Sequence, residues 1–377
     1  MKDYEMPGDI RCWGTYISDE AIERVCEVLR SGWLNTGKNE RLLRETFCKK
    51  FNSSYCVALS SGTAALRASY SVLGIGQGDE VVTTPFTFLA TNTSILETGA
   101  TPVFADIRYS DLNVTAKSIE EKITKKTKAI VIVHYAGNPV DLGEIKAMAR
   151  DYQLPIIEDS AHAMGSKYGE RYIGETGELV TFSLQAIKIV TAGDGGLVVT
   201  NNEEYYKRLG RKIWYGVDRD NKQKNLFYDP LPDDIDELGF KYNMNDITAS
   251  LGIAAINSFD IPLKRRKFIG ETYRKELSKL ERVRLLTYYP DRTPNYQIFP
   301  IHVENRKEFA EFMWDRSIQV VVNNRRNDRY TIFGGPRDLP NVERADKDVI
   351  LLPIHYNLTE SDIWRVIETV KEWCNVL

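Results

Sequence analysis

The stretch TFSLQAIKIVTAGDGG, residues 181–196, follows a β-type run, ends in a glycine-rich turn and places Lys188 among apolar neighbours. Ile187, Ile189 and Val190 flank this lysine. Burial disfavours the charged form of an amine and lowers its pKa, and a neutral amine is a nucleophile toward carbonyl carbons. The stretch therefore indicates either a reactive lysine in an apolar pocket or a surface lysine on a loop whose apolar neighbours turn inward.

The composition is ordinary for a soluble globular protein. Of the 377 residues, 42% are hydrophobic and 27% are charged, and 50 basic side chains nearly balance 53 acidic ones. This balance leaves no basic stripe for nucleic acid. No apolar run approaches the roughly 20 residues of a membrane span, and the N-terminus carries no apolar signal region. We therefore expect neither a nucleic-acid partner nor a membrane partner.

The cysteines and histidines are scattered along the chain. The five cysteines show no CxxC spacing, which favours reduced thiols in a cytoplasmic protein. The four histidines lie far apart in the sequence, so we expect no metal site.

Short apolar strands alternate with helical patterns through the first two thirds of the chain. This alternation is typical of an α/β fold with a mostly parallel sheet wrapped by helices. The predicted strands are 55–59, 80–84, 102–106, 128–134, 155–158, 179–183 and 197–200. The predicted helices are 19–31, 39–51, 63–73, 88–98 and 142–152.

The order of elements changes in the last third. After a polar stretch at 220–240, which we interpret as a loop or a lid, helical patterns run from 245 to about 280. Strands are predicted at 296–302, 318–322 and 351–354, and helices at 306–315 and 361–376. We therefore predict a large domain at 1–254, including an N-terminal helical segment, and a smaller α+β domain at 255–377.

A second candidate stretch is Ser60-Ser61-Gly62-Thr63-Ala64, between a predicted strand and a predicted helix. Small residues let backbone amides at a helix start approach an anion, which the helix dipole favours. The stretch is either a phosphate cradle or a plain turn with Ser/Thr capping.

A third candidate is Asp159, at the end of the strand LPIIED. Ligands of open α/β sheets collect outside the carboxyl ends of the strands, and a buried carboxylate requires a compensating cation. Asp159 could pair with a protonated pyridine nitrogen, or it could be a helix N-cap.

The three stretches together match the demands of pyridoxal 5'-phosphate (PLP). This cofactor needs its phosphate anchored, its ring nitrogen kept protonated and its aldehyde held by a lysine as a Schiff base. The candidate cradle lies about a hundred residues before Asp159, and Lys188 about thirty after it. We know of no other common chemistry that requires this set.

The chain also resembles the DegT/DnrJ/StrS family of nucleotide-sugar aminotransferases, which has fold type I of the aspartate aminotransferase superfamily. The resemblance extends over nearly the whole chain. It rests on SSGTAAL (60–66), TPFTFLATNTSIL (84–96), PIIEDSAHAMGSKYGERYIG (155–174), FSLQAIKIVTAGDGGLVVTN (182–201), GFKYNMNDITASLG (239–252) and LPIHYNLTESDI (352–363).

This resemblance implies roles for individual residues. Lys188 would bind the cofactor and then move a proton, Asp159 would pair with the pyridinium nitrogen, and Phe88 would stack on the ring. The other implied cofactor contacts are Gly62, Thr63 and Ser183 at the phosphate, His162 and Gln185 beside the cofactor, and Asn243, which would reach the phosphate of a partner subunit in a homodimer with shared active sites. Many relatives place that asparagine two positions earlier, where this chain has Lys241.

Substrate contacts are less sharply marked. The segment NNRRNDRY contains Arg325, Arg326, Arg329 and Tyr330, and planar guanidinium donors suit a diphosphate, although a solvated loop explains the segment equally well. Many relatives carry a His-Tyr pattern in this region, so its absence here leaves the substrate open. By resemblance alone, Trp33, Thr36 and Lys241 would border the sugar.

The resemblance implies transfer of an amino group from L-glutamate, which becomes 2-oxoglutarate, to a 3- or 4-keto-6-deoxy sugar linked to a nucleoside diphosphate. Pyridoxamine phosphate would form during the reaction, and the product would serve amino-sugar biosynthesis, such as that of lipopolysaccharide O-antigen. Two alternatives are a PLP-dependent sugar dehydratase or deoxygenase and a non-catalytic regulator. Some relatives with histidine in place of the lysine are dehydratases, so Lys188 favours transamination.

Overall fold

The computed structural model describes residues 10–218 and 234–376 of the chain. The helices in this part are α1 Asp19–Ser31, α2 Lys38–Phe51, α3 Gly62–Val72, α4 Leu89–Leu96, α5 Ala116–Glu120, α6 Leu142–Asp151, α7 Glu203–Lys212, α8 Asp246–Asn257, α9 Asp260–Leu277, α10 Arg306–Asp315, α11 Pro340–Asp348 and α12 Glu360–Val376. The strands are β1 Tyr55–Leu59, β2 Glu80–Thr83, β3 Thr101–Phe104, β4 Thr127–Val133, β5 Ile156–Asp159, β6 Lys167–Tyr168, β7 Arg171–Tyr172, β8 Leu179–Ser183, β9 Gly196–Thr200, β10 Val283–Leu285, β11 Arg292–Thr293, β12 Phe299–Val303 and β13 Val349–Leu352.

A seven-stranded sheet with the order β1-β9-β8-β5-β4-β2-β3 forms the centre of the molecule. Strand β9 runs antiparallel to its two neighbours, and the other pairings are parallel. This arrangement confirms the predicted α/β fold with a mostly parallel sheet. Strand β4 explains the pattern, since its apolar run is buried from Ala129 to Val133 and its alternate residues belong to two separate apolar cores.

The topology brings the carboxyl ends of β1, β5 and β8 to one edge of the sheet, because these three strands point the same way. Strand β1 leads into Ser61 at the start of α3, β5 ends at Asp159, and β8 ends at Ser183. The three candidate stretches of the sequence therefore meet at this edge.

A second sheet, β10-β12-β13, is antiparallel and has its own apolar core. Ile301 of β12, Phe309 of α10 and Val366 of α12 are fully buried in that core. The boundary at 254/255 between a large and a small domain stays a prediction.

The predicted strand at 318–322 was wrong. In the structure this segment makes only two isolated bridges, from Ile318 to Ile10 and from Val321 to Leu351. The chain changes partners between the two bridges, so no continuous ladder forms there. The small strands β6, β7 and β11, which the sequence analysis did not predict, have only two residues each and form a separate small sheet.

The predicted loop or lid at 220–240 lies largely outside the described residues, which resume at 234. Residues 234–240 form neither helix nor strand. Within the described part of the chain, no helix combines the length and the apolar character needed to cross a membrane.

Candidate active site

Lys188 lies on a tightly closed loop between β8 and β9. The backbone N–H of Leu184 donates to the Gly195 carbonyl at 2.9 Å, which closes the loop at its base. The Lys188 N–H donates to the Gln185 carbonyl at 2.9 Å, so the lysine follows a turn and not a strand. Gly195 has φ 147°, a backbone conformation that favours glycine, and the glycine-rich end of the stretch permits this closure.

A cavity of about 400 Å³ opens above the carboxyl ends of the strands. Most of the predicted cofactor contacts line it, namely Gly62, Thr63, Phe88, Asp159, His162, Ser183, Gln185 and Lys188. The cavity also contains residues that the sequence analysis did not select, among them Thr91, Asp194, Asn323 and Asn324.

Asp159 forms part of the wall of this cavity and is only 5% exposed. Its Oδ2 accepts a 2.7 Å hydrogen bond from Thr91 Oγ1, and its Oδ1 accepts one of 3.1 Å from the Ala161 N–H. Both of these donors are neutral. Burial raises the pKa of this carboxyl above its ordinary value, against the lowering effects of the two hydrogen bonds and of the Lys188 charge. A cation placed in the cavity would therefore stabilise the Asp159 carboxylate.

Thr91 of α4 belongs to a short chain of hydroxyl groups that begins at Thr87, just before the helix. Its single proton goes to Asp159, so the 2.9 Å contact between Thr87 Oγ1 and Thr91 Oγ1 requires Thr87 to donate. Sequence reasoning missed Thr91, although a signal exists. Phe88, which was selected, caps α4, and Thr91 lies in the first turn of the helix that follows it.

The start of α3 has the geometry of an anion site. The Ser61 hydroxyl caps the helix by accepting from the Ala64 N–H at 3.0 Å, and the earlier amides of Gly62 and Thr63 have no intrahelical acceptor. Any Cβ on Gly62 would lie 2.9 Å from the Ser183 Cβ, so glycine is required for β8 to approach this closely. A phosphate group fits the chemistry of these donors.

Two titratable groups in the cavity have lowered pKa values. Burial lowers the pKa of Lys188 to about 8, with a further lowering by Arg266 and an opposing effect of Asp159. Burial also lowers the pKa of His162 well below its ordinary value, and the charges of Lys188 and Arg266 act in the same direction. At neutral pH the site therefore holds an uncharged imidazole and an amine that loses its proton easily.

Phe88 lies at the mouth of the cavity with 60% of its surface exposed. It immediately precedes α4 and has extended backbone geometry. An exposed aromatic ring beside a concave site is a suitable stacking surface for a flat ligand.

These features together fit PLP. The buried Asp159 receives only neutral donors and can accept from a protonated ring nitrogen, the α3 amides can receive a phosphate, and Lys188 supplies an amine with a lowered pKa. Among the described residues, no group of histidine, cysteine and carboxylate side chains is arranged to hold a metal ion.

Asn243, Trp33, Thr36 and Lys241 are among the predicted residues that do not line this cavity. Thr36 and Asn243 line a different cavity of about 480 Å³, and the Asn243 amide donates to the Thr36 hydroxyl. Lys241 contacts the Asn243 side chain, and its ammonium lies 4.0 Å from the centre of the Trp214 ring. Trp33 is 63% exposed. None of these four side chains lines the cavity around Lys188.

The arginine-rich segment is also arranged differently from a free diphosphate clamp. Arg326 is buried and forms a two-pronged ion pair with Asp328, while Arg325 pairs with Asp346 at 2.9 Å. Arg329 approaches Asp346 at 4.0 Å, and Tyr330 is 40% exposed. These arginines thus already have carboxylate partners, and the segment presents its amides, Asn323 and Asn324, to the cavity instead.

Comparison with known proteins agrees with this geometry. Residues 15–371 match the DegT/DnrJ/EryC1/StrS aminotransferase family. The chain is 35% identical over 367 residues to the uncharacterized protein MJ1066 of Methanocaldococcus jannaschii, covering 94% of this chain and 95% of that protein.

The chain is also similar to solved structures of aminotransferases. The sugar aminotransferase CalS13 of Micromonospora echinospora superposes with a TM-score of 0.91 and 30% identity, covering 96% of this chain and 99% of that one. PseC of Helicobacter pylori, an aminotransferase involved in the biosynthesis of pseudoaminic acid, has a TM-score of 0.91 and 26% identity over 98% of this chain and 100% of that one.

The fold and the match over nearly the whole chain define an enzyme of the PLP-dependent aminotransferase class. The chain belongs to the DegT/DnrJ/EryC1/StrS aminotransferase family.

Proposed function

We propose that this protein transfers an amino group from L-glutamate to a keto sugar linked to a nucleoside diphosphate, with PLP bound in the cavity around Lys188. The observation that carries the proposal is the convergence of Lys188, Asp159 and the α3 start on one cavity of about 400 Å³. Pyridoxal phosphate, when bound, supplies an aldehyde that takes up an amine and a ring that withdraws electrons from the adjacent carbon.

Asp159 acts on the ring nitrogen. Its carboxylate is buried, accepts from Thr91 and Ala161, and stabilises a proton on a nitrogen placed opposite it. Keeping that nitrogen protonated maintains the electron-withdrawing character of the ring through both halves of the reaction.

Lys188 carries the proton. Its pKa of about 8 lets Nζ accept a proton from carbon at neutral pH and return it as an acid later in the turnover. In the first half-reaction the proton comes from the carbon that bears the amine of glutamate, and 2-oxoglutarate leaves. In the second half-reaction the proton goes to the sugar carbon. Lys188 serves both steps, so two-step, ping-pong kinetics are expected.

The sugar assignment rests on the relatives, since CalS13 is a sugar aminotransferase and PseC acts in the biosynthesis of pseudoaminic acid. The amides of Asn323 and Asn324 at the cavity support a polar, hydroxyl-rich substrate, because amide groups both donate and accept hydrogen bonds. The exposed faces of Arg325 and Arg329, each about 40% open, remain available to a diphosphate.

A homodimer with shared sites belongs to the same proposal. Asn243 and Thr36 lie in a second cavity, away from the Lys188 cavity of their own subunit. A residue in that position can serve the phosphate of a partner subunit only if two chains assemble.

The test is a coupled pair of measurements on purified protein loaded with PLP. Incubation with L-glutamate should release one equivalent of 2-oxoglutarate per site, and subsequent addition of keto nucleotide sugars should consume the stored amino group. Release of 2-oxoglutarate without transfer to any keto sugar of the panel would contradict the sugar assignment. Elimination of a hydroxyl group from the sugar without its amination would identify a dehydratase.

A further inference from the structure

We propose that Gln297 and Arg266 are positioning residues for Lys188, Gln297 by fixing the backbone on both sides of it and Arg266 by placing a positive charge without a carboxylate partner next to it. This inference rests on the proposed function, in which Lys188 carries the proton.

Gln297 forms a clamp on the lysine loop. Its Nε2 donates to the Ile187 carbonyl at 2.9 Å, and its Oε1 accepts from the Ile189 N–H at 3.1 Å. The two bonds thus bracket Lys188 in the sequence. Gln297 is only 2% exposed and lies just before β12, so a buried side chain from the second sheet holds the lysine loop of the first. Its own N–H donates to Asn295 Oδ1 at 2.9 Å, which fixes the clamp in turn.

Arg266 of α9 reinforces the same carbonyl. Its Nη2 donates to the Ile187 oxygen at 3.4 Å, and its Nη1 donates to the carbonyls of Gln297 at 2.6 Å and Ile354 at 2.9 Å. In the described parts of the chain, the hydrogen-bond acceptors of this guanidinium are all backbone carbonyls. Within the described parts of the chain, no carboxylate lies within ion-pair distance of it, although the side chain is only 3% exposed.

A buried guanidinium that is hydrogen-bonded only by carbonyls has no counter-charge to cancel its own, so its charge acts on neighbouring titratable groups. Burial lowers the pKa of Arg266 to about 10, so the guanidinium stays protonated at neutral pH, whereas the nearby Lys188 can lose its proton to reduce the repulsion. The groups that face the Lys188 amine are Asp159 from β5, which favours the ammonium form, and Arg266, which opposes it. His162, also in the cavity, is neutral.

The arrangement has a catalytic consequence. A lysine must be neutral to accept a proton and must be held in line with the carbon atom that gives it up. Gln297 holds Lys188 in position, and Arg266 favours the neutral form of its amine. Neither side chain lines the cavity, so both act through Lys188.

The test measures the titration of Lys188 without using the reaction. Full-length protein free of PLP is labelled with trace acetic anhydride from about pH 6 to 10, and acetylation of Lys188 is quantified by peptide mass spectrometry. Arg266→Met should move the midpoint upward by on the order of one pH unit, which lowers the labelling rate at neutral pH roughly tenfold.

Gln297 has a separate pair of variants. Gln297→Leu should leave the midpoint unchanged but reduce kcat of the PLP-loaded enzyme by about tenfold or more at an unchanged KM for the donor. Gln319→Leu is the matched control, because Gln319 is also buried and accepts from the Cys12 N–H, not from the lysine loop. Gln297→Glu places a carboxylate beside the guanidinium and should raise the midpoint even if Arg266→Met does not fold.

An unchanged midpoint in both Arg266→Met and Gln297→Glu would overturn the role of the charge. Equal losses of kcat in Gln297→Leu and Gln319→Leu would show that Gln297 contributes only general packing and does not position Lys188. The labelling needs neither cofactor nor substrate, so a wild-type protein that shows this pattern but transfers no amine would refute the proposed function and leave the positioning roles intact.

Discussion

The hydroxyl of Thr91 donates a 2.7 Å hydrogen bond to Oδ2 of the buried Asp159. This bond lowers the pKa of a carboxyl that burial raises, and so helps to keep Asp159 ionised. This hydrogen bond joins α4 to the end of β5, between two residues that are 68 positions apart in the sequence.

Replacement of Thr91 by valine should therefore reduce activity. The change keeps the side-chain shape but removes the donor, so the pKa of Asp159 should rise and the acidic limb of the pH–kcat profile should move to higher pH. We expect kcat at neutral pH to fall about tenfold. Thr93→Val is the control, because Thr93 lies on the same helix and bonds only to the Leu89 carbonyl. An acidic limb that stays in place would contradict this role of Thr91.

Gly62 should be required for tight cofactor binding. A methyl group at this position would lie 2.9 Å from the Ser183 Cβ and would push apart the two sides of the phosphate cradle. Gly62→Ala should weaken PLP binding by about tenfold with little loss of stability, since alanine favours a helix. Fluorescence titration with PLP measures the affinity. Gly76→Ala, where the new methyl group meets only one atom at 3.9 Å, should bind PLP as the wild type does.

The lowered pKa of Lys188 predicts a pH-dependent cost of folding in the protein without PLP. Below about pH 8 the amine is protonated in both the folded and the unfolded state, and the cost is fully present. Between about pH 8 and 10.5 the folded state releases its proton first, so the native protein gains stability as the pH rises.

Lys188→Met should remove this cost. The variant should be more stable than the wild type by about 1–3 kcal/mol at neutral pH, and the difference should shrink toward pH 10. Urea unfolding at several pH values measures it. A difference in the free energy of unfolding that does not change with pH would argue against a buried, titrating amine.

Arg326 should be a structural residue. It forms a buried ion pair with Asp328, which also accepts a hydrogen bond from the Arg337 N–H. Removal of the Arg326 side chain would leave the Asp328 charge buried without its ion-pair partner. We expect Arg326→Ala to reduce the free energy of unfolding by about 3 kcal/mol. Arg329→Ala, at a side chain that is 40% exposed, should change it by less than about 0.5 kcal/mol. Equal effects of the two substitutions would contradict the assignment.

The sequence predicted the central sheet and the cavity residues nearest the cofactor because their signals are local. Strand β4 contains the apolar run from Ala129 to Val133, Asp159 is the last residue of β5, and Ser61 lies in the short connection from β1 to α3. The parallel order of the strands then brings such residues together without any knowledge of side-chain contacts.

Other features depend on tertiary contacts that no local pattern contains. The segment 318–322 has strand-like composition, yet it is divided between Ile10 and Leu351 as partners. The clamp of Gln297 on the lysine loop joins positions 110 residues apart. The neutralisation of Arg326 by Asp328 is local, but a run of arginines alone does not reveal which of them is buried.

The most direct test of the central claim is the absorbance spectrum of the purified protein with PLP, before and after L-glutamate is added. The account predicts a band at roughly 400–430 nm that depends on Lys188 and that gives way to a band at shorter wavelength when glutamate is added. A band that glutamate leaves unchanged would contradict the assignment of the amino donor. Absence of any such band with excess PLP would contradict the role of Lys188 and with it the proposed function.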